Sequence, residues 1–140
     1  MPEREDASGP QRAPFAYAAI RVVPRVEREE FVNAGVVLFS RPRMFLGVRT
    51  RLDADRLRSL WPEINVDGVA RQLDVIRLVA AGDPAGGAIA LLPDAERFGW
   101  LTAPASTIVQ PGPVHAGLAH DPEMALDALF ADLVGSPTRN

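Results

Sequence analysis

The sequence contains no cysteine and no lysine. Without cysteine the chain has no disulfide, no thiolate nucleophile and no cysteine-ligated zinc. No apolar run approaches the roughly 20 residues that a membrane-spanning helix needs. The polar residues 1–14 also lack the apolar core of a signal peptide. We therefore expect a cytoplasmic protein that does not span a membrane.

Complete catalytic and cofactor motifs are also missing. There is no Gly-x-Ser-x-Gly elbow, no Gly-x-Gly-x-x-Gly, no phosphate loop and no His-x-x-x-His pair. The chain has two histidines, so it offers a poor ligand set for a metal. A net charge of −3 and an aromatic content of 6 % argue against nucleic-acid binding. We predict no catalytic residue, no metal site and no cofactor.

The length indicates one domain. A chain of 140 residues is within the usual size of a single domain and can bury one core. Residues 1–14 contain three prolines and little to bury, which predicts a disordered N-terminal tail. We predict a single domain over residues 15–135 and a frayed tail over 136–140.

Strand patterns dominate the first third of the chain. Two short runs rich in valine and isoleucine, 20–23 and 36–39, flank a charged connector. Gly35 in the second run indicates a bulge or a close backbone approach. The predicted strands are 15–23, 32–40, 44–51 and 106–110, with an extended path resuming at 114–117.

Helical patterns follow. Apolar residues at helical spacing predict helices over 53–61, 67–81 and 122–134, and one or two turns over 94–101. In the last helix, Leu129 and Phe130 are expected in the core. These elements together predict an α+β fold, an antiparallel sheet of about four strands with helices packed mainly on one face.

Two long stretches carry a family resemblance. Residues 20–39, IRVVPRVEREEFVNAGVVLF, resemble the opening motif of the bacterial domain-of-unknown-function family DUF3037, and residues 96–117, ERFGWLTAPASTIVQPGPVHAG, resemble its second motif. The resemblance covers about residues 15–135. It implies no activity, but it implies a possible partner, because such proteins are often encoded beside HipA-like protein kinases.

A set of polar residues on predicted strands suggests a ligand site. An antiparallel meander would bring Arg21 and Arg49 to one face, where they could hold an anion or phosphate. The candidate ligand residues are Arg21, Asn33, Arg49, Gln110 and His115. The alternatives are that the arginines pair with glutamates and that His115 is a partly buried structural residue.

The charged connector suggests a surface for a partner protein. Its charges alternate in sign, which suits the steering of a charged partner, and the candidate residues are Arg25, Arg28, Glu29 and Glu30. The acidic outer face of the last helix, with Glu123, Asp127 and Asp132, offers a second surface. We expect a non-enzymatic interaction or accessory protein, with a HipA-like kinase encoded nearby as the candidate partner. The alternative is a protein that binds a small phosphate compound or nucleotide, or a phosphoester-handling enzyme.

Overall fold

The computed structural model describes residues 11–135, so most of the two predicted tails lies outside the described residues. No helix in residues 11–135 is long and apolar enough to cross a membrane. The strands are β1 (Ala13–Val22), β2 (Val32–Ser40), β3 (Phe45–Thr50), β4 (Val109–Pro111) and β5 (His115–Ala119). The α-helices are α1 (Ala54–Leu60), α2 (Val66–Ala81), α3 (Asp94–Leu101) and α4 (Pro122–Leu133), and short 3₁₀ helices occupy Val26–Arg28, Pro84–Gly86 and Ala88–Leu91.

The five strands form one antiparallel sheet, which confirms the predicted α+β class. The order is β3, β2, β1, and then β4 and β5, which both pair with the far side of β1. β4 pairs with residues 20–22 of β1 and β5 with residues 13–17. β1 therefore lies inside the sheet, as expected for a strand with apolar residues on both faces.

Helices cover both faces of the sheet. Ala18, Ile20 and Val22 of β1 face α1, α2 and α3, whose buried residues include Leu57, Leu73 and Phe98. Val36 and Leu38 of β2 face α4 and pack against Leu126. Three of the four helices thus share one face, and α4 covers part of the other.

A bulge interrupts the pairing of β1 with β2. Ile20 lies opposite Gly35 and Arg21 opposite Asn33, so one residue of β2 is unpaired between them. A Cβ at Gly35 would lie 2.6 Å from the backbone oxygen of Arg49 on β3. Glycine is therefore required where β2 and β3 approach most closely, as its place in the sequence predicts.

Three predicted boundaries were wrong. β1 begins at Ala13, inside the predicted tail of residues 1–14. The fourth strand is Val109–Pro111 instead of 106–110, and an edge strand tolerates a proline at its end. Helix α2 begins one residue before Asp67, because the side chain of Asn65 accepts a hydrogen bond of 3.0 Å from the Gly68 N–H and so caps it.

The buried residues of α4 also differ from expectation. Leu126 is completely buried, whereas Leu129 and Phe130, which were expected in the core, are only partly buried beside the small apolar cluster that Leu126 forms with β2. In the described part of the chain α4 is the only α-helix packed on this face, so its flanks stay open to solvent. The core on this side is correspondingly small.

Candidate functional site

A concavity in the described residues lies between α2, the segment after α3, and the edge strand β4. It is an open cleft of about 620 Å³, which we call the Trp100 groove. Its floor includes Ile20 of β1 and Val109 of β4, and its walls include Ile76 and Leu101. The remaining lining residues are Asn65, Gly68, Arg71, Gln72, Val75, Trp100, Ala103, Pro104, Ala105, Thr107, Gln110 and Pro111.

Two large apolar side chains line the groove without being buried. Val75 of α2 is 42 % exposed and Trp100 of α3 is 44 % exposed. Each belongs to a helix whose other large apolar residues point into the core, such as Leu73 and Phe98. Exposed apolar side chains that line one concave surface are typical of a binding site.

Polar side chains close the free edge of β4 beside the groove. Gln72 of α2 accepts a hydrogen bond of 3.2 Å from the Val109 N–H. Thr107 donates its hydroxyl to the Val109 carbonyl at 2.8 Å, and Pro111 has no N–H to offer. An incoming strand therefore cannot extend the sheet here, and an occupant of the groove must be held by side chains.

One cation lies on the wall of the groove. Among the described residues that line it, Arg71 is the only charged one, and it is exposed. Within residues 11–135, Arg71 forms no ion pair and no side-chain hydrogen bond. The groove thus combines an apolar surface with one positive charge that is free to meet an acidic group.

Three of the five predicted ligand residues come together on the sheet. Arg21 of β1 lies between Asn33 of β2 and Gln110 of β4 in the strand register. The guanidinium of Arg21 stacks on the ring of Phe31, with its Cζ 4.0 Å from the ring centroid. The Asn33 amide donates to the Leu133 carbonyl at 3.1 Å, so it also fastens the end of α4.

The structure does not bring the other two into this group. Arg49 binds Glu123 at 3.1 Å and Asp127 at 3.0 Å, so its charge is already engaged by α4. His115 is on β5, opposite Tyr17 of β1, and the two rings are 5.3 Å apart. The expectation that His115 is partly buried was wrong, because its strand is at the sheet edge and its side chain is exposed.

The charged connector pairs its own charges. Arg25 binds Glu27 and Arg28 binds Glu30, each at 3.2 Å, and all four side chains are exposed. A hydrogen bond from its own backbone, and then the side chain of Arg25, hold the pKa of Glu27 below its ordinary value. The predicted Arg–Glu network therefore exists, and it neutralises part of the charge that was expected to steer a partner.

Among the described residues no group of three histidine, aspartate or glutamate side chains is placed to hold a metal ion. The sequence also did not reveal the Trp100 groove. A signal was present, because Val75 and Trp100 are large apolar residues off the buried stripe of their helices. Which exposed stripes meet across a groove depends on how the helices pack, which a single helix pattern does not contain.

Comparison with known proteins gives a family but no activity. A family model described as a protein of unknown function (DUF3037) matches residues 17–134. Neither a curated protein nor a solved structure matches the chain. The matched region includes every residue that lines the groove and all five residues of the predicted ligand site.

Proposed function

Because this chain belongs to the DUF3037 family, whose description assigns no activity, we propose its function from the groove itself: it is a non-enzymatic accessory protein that binds a partner protein there. The observation that carries the proposal is the exposure of Trp100 and Val75 in a cleft of about 620 Å³. Covering these two side chains would stabilise a complex by removing apolar surface from water.

The lining residues indicate what kind of segment would fit. Apolar side chains of the partner would lie on Trp100 and Val75, and tryptophan is among the residues that contribute most at protein interfaces. An aspartate or glutamate at one end of the segment would meet Arg71. The closed edge of β4 favours recognition of side chains over strand addition.

The partner that the family resemblance implies is a HipA-like kinase encoded nearby, and the proposal places both proteins in the bacterial cytoplasm. The connector residues Arg25, Arg28, Glu29 and Glu30 form a second candidate contact. Because Arg25 and Arg28 are already paired, we expect them to affect the rate of association more than its strength.

A phosphoester-handling enzyme is the weaker candidate. Such an enzyme would need a second cation and a proton-transfer group beside Arg21. Arg49 is engaged by Glu123 and Asp127, and His115 lies beside Tyr17 instead. These positions support a binding role over catalysis.

The test is direct binding between the two purified proteins. The Trp61→Phe variant leaves Trp100 as the single tryptophan, so burial of Trp100 by the kinase should shift its fluorescence to shorter wavelength. Val75→Asp places a carboxylate on the apolar wall of the groove, one helical turn from Arg71. It should weaken binding by at least about tenfold, because it removes apolar contact area, brings a charge that must lose water, and competes with the partner's acidic group for Arg71.

The matched control is Leu60→Asp. Leu60 is also an exposed aliphatic residue of a helix, 51 % exposed, but it does not line the groove. This variant should bind like the unmodified chain. No binding to the kinase, or an equal loss in both variants, would refute the proposed role of the groove.

A further inference from the structure

Arg21 is an unusual cation in this fold. It lies on the central strand β1 between Ile20 and Val22, which are 2 % and 0 % exposed, and its own side chain is partly buried. Within residues 11–135 it pairs with no carboxylate. Partial burial of a charge without a counter-ion lowers the stability of the folded state, so we asked what the position of Arg21 provides in return.

The guanidinium is held in place on more than one side. It stacks on Phe31 at 4.0 Å, and the backbone of Gly112 packs against it. A Cβ at residue 112 would lie 2.9 Å from the Cζ of Arg21, so no larger residue fits there while the guanidinium stays. A planar group fixed in this way loses little conformational freedom when it binds an anion.

Within residues 11–135, two buried polar atoms on facing residues have no hydrogen-bond partner. They are the Nε of Arg21, a donor, and the Oδ1 of Asn33, an acceptor, and these two residues face each other across the strands. The Asn33 amide is oriented by its bond to the Leu133 carbonyl, which turns Oδ1 away from that contact. Unpartnered buried groups of this kind are rare and commonly mark a site for a missing polar partner.

We infer that Arg21 and Asn33 form a binding site for a small organic oxyanion that also carries a hydroxyl group, such as a phosphosugar. The guanidinium would bind the oxyanion through two parallel hydrogen bonds, and the hydroxyl would donate to the Asn33 Oδ1. Phe31 covers the guanidinium and is itself 44 % exposed, so it can turn aside to admit the ligand. This site needs neither the Trp100 groove nor the charges of Arg49.

Isothermal titration calorimetry with ribose 5-phosphate, ribose and inorganic sulfate, an oxyanion that carries no hydroxyl group at neutral pH, tests the inference. We expect ribose 5-phosphate to bind at least about tenfold more tightly than either of the other two, because only it supplies both contacts. Absence of binding at millimolar concentration would overturn the inference. Equal affinity for sulfate would overturn it too, because the Asn33 contact would then contribute nothing.

Variants locate the binding. Arg21→Gln should abolish it, and Asn33→Asp should weaken it strongly, because the new carboxylate becomes the counter-ion of Arg21. If Arg21→Gln fails to fold, Arg21→Lys takes its place and should weaken binding about tenfold through loss of the two-pronged contact. Far-ultraviolet circular dichroism establishes which variants are folded.

Arg71→Gln is the control, since Arg71 is an unpaired arginine that lines the Trp100 groove. It should bind ribose 5-phosphate like the unmodified chain. Ribose 5-phosphate binding that survives Arg21→Gln, or that disappears in Arg71→Gln, would refute the site. Val75→Asp should leave this binding intact, so failure of the groove and failure of this site give different results.

Discussion

Gly35 and Gly99 both lack a Cβ atom, but the space around Gly35 is filled and the space around Gly99 is open. A Cβ at Gly35 would lie 2.6 Å from a backbone oxygen of the neighbouring strand, which cannot move without breaking the sheet. A Cβ at Gly99 on α3 would meet nothing within 4 Å. The cost of adding a methyl group therefore depends on tertiary contacts at one residue and on helix propensity at the other.

We expect Gly35→Ala to lower the free energy of unfolding by about 3 kcal/mol, at the upper end for overpacking, because the atom it strikes is backbone. Gly99→Ala should raise it by about 0.5–1 kcal/mol, the difference between glycine and alanine within a helix. Urea unfolding of both variants measures the two values. A stable Gly35→Ala variant would mean that β2 and β3 are further apart than described.

Glu27 offers a test by pH at the scale of one side chain. Its pKa is lowered by its own backbone and by Arg25, so it is lower in the folded state than in the unfolded state. Any stability from this group is therefore present above the unfolded pKa and is lost as the pH falls through the folded pKa.

Arg25→Gln should raise the pKa of Glu27 towards its ordinary value, because the side-chain hydrogen bond and the nearby positive charge are both lost. A titration followed by nuclear magnetic resonance measures this pKa. Arg58→Gln is the control, because Arg58 is not among the groups that act on Glu27. An unchanged pKa in Arg25→Gln would mean that this ion pair is absent in solution.

Helix α4 is fastened to the sheet at both ends. Near its start, Glu123 and Asp127 bind Arg49. Near its end, Asn33 and Arg51 donate to the carbonyls of residues 133–135, two of them just beyond the last helical residue. The last carbonyls of a helix have no partner within it, and a cation near them is favourable. Arg49, which the sequence placed on a strand face, and Arg51, which directly follows β3, therefore both hold α4 on the sheet.

Along α4, the cost of truncation should follow burial. Leu126→Ala should lower the free energy of unfolding by about 2–5 kcal/mol, because Leu126 is completely buried. Leu133→Ala, at a residue that is 37 % exposed, should cost less than about 1 kcal/mol. Urea unfolding measures both. Equal costs would show that α4 does not pack on β2 through Leu126.

At the scale of the whole molecule, β1 and β2 are the central strands: each has a paired strand on both sides, and helices pack on both faces of the sheet. Buried residues of β1 and β2 contact helices α1 to α3 on one face and α4 on the other. The connector between these strands has no buried residue and short-range ion pairs only. Resistance to local opening should therefore differ sharply between neighbouring segments.

Hydrogen exchange measures that difference. The amides of β1 and β2 from Ala18 to Val22 and from Val36 to Leu38 should exchange most slowly, because they open only when the whole sheet opens. Amides of Val26–Arg28 should exchange orders of magnitude faster. Similar rates in both segments would mean that the sheet does not form the centre of the cooperative unit.

The amino-acid pattern alone was sufficient for the α+β class and for most elements. Alternating or continuous apolar residues predicted β1, β2 and β3, and helical spacing predicted α2 and α4 within one or two residues at either end. The position of Gly35 within a predicted strand likewise indicated a bulge or a close approach of two backbones. Each of these features depends on residues close together in the sequence, because the spacing of apolar residues within a short segment distinguishes a strand from a helix.

Tertiary structure decided which of the candidate ligand residues come together, and it alone revealed the Trp100 groove. Arg49 and Arg21 have similar sequence surroundings, yet α4 pairs one with two carboxylates and leaves the other without a counter-ion. The Trp100 groove exists because α2, α3 and β4 pack together in a way that leaves an open cleft around two exposed apolar residues. A charged or apolar residue becomes part of a site when the surrounding helices and strands leave its side chain uncovered. Which side chains stay uncovered depends on how these elements pack, and a local sequence pattern does not contain that information.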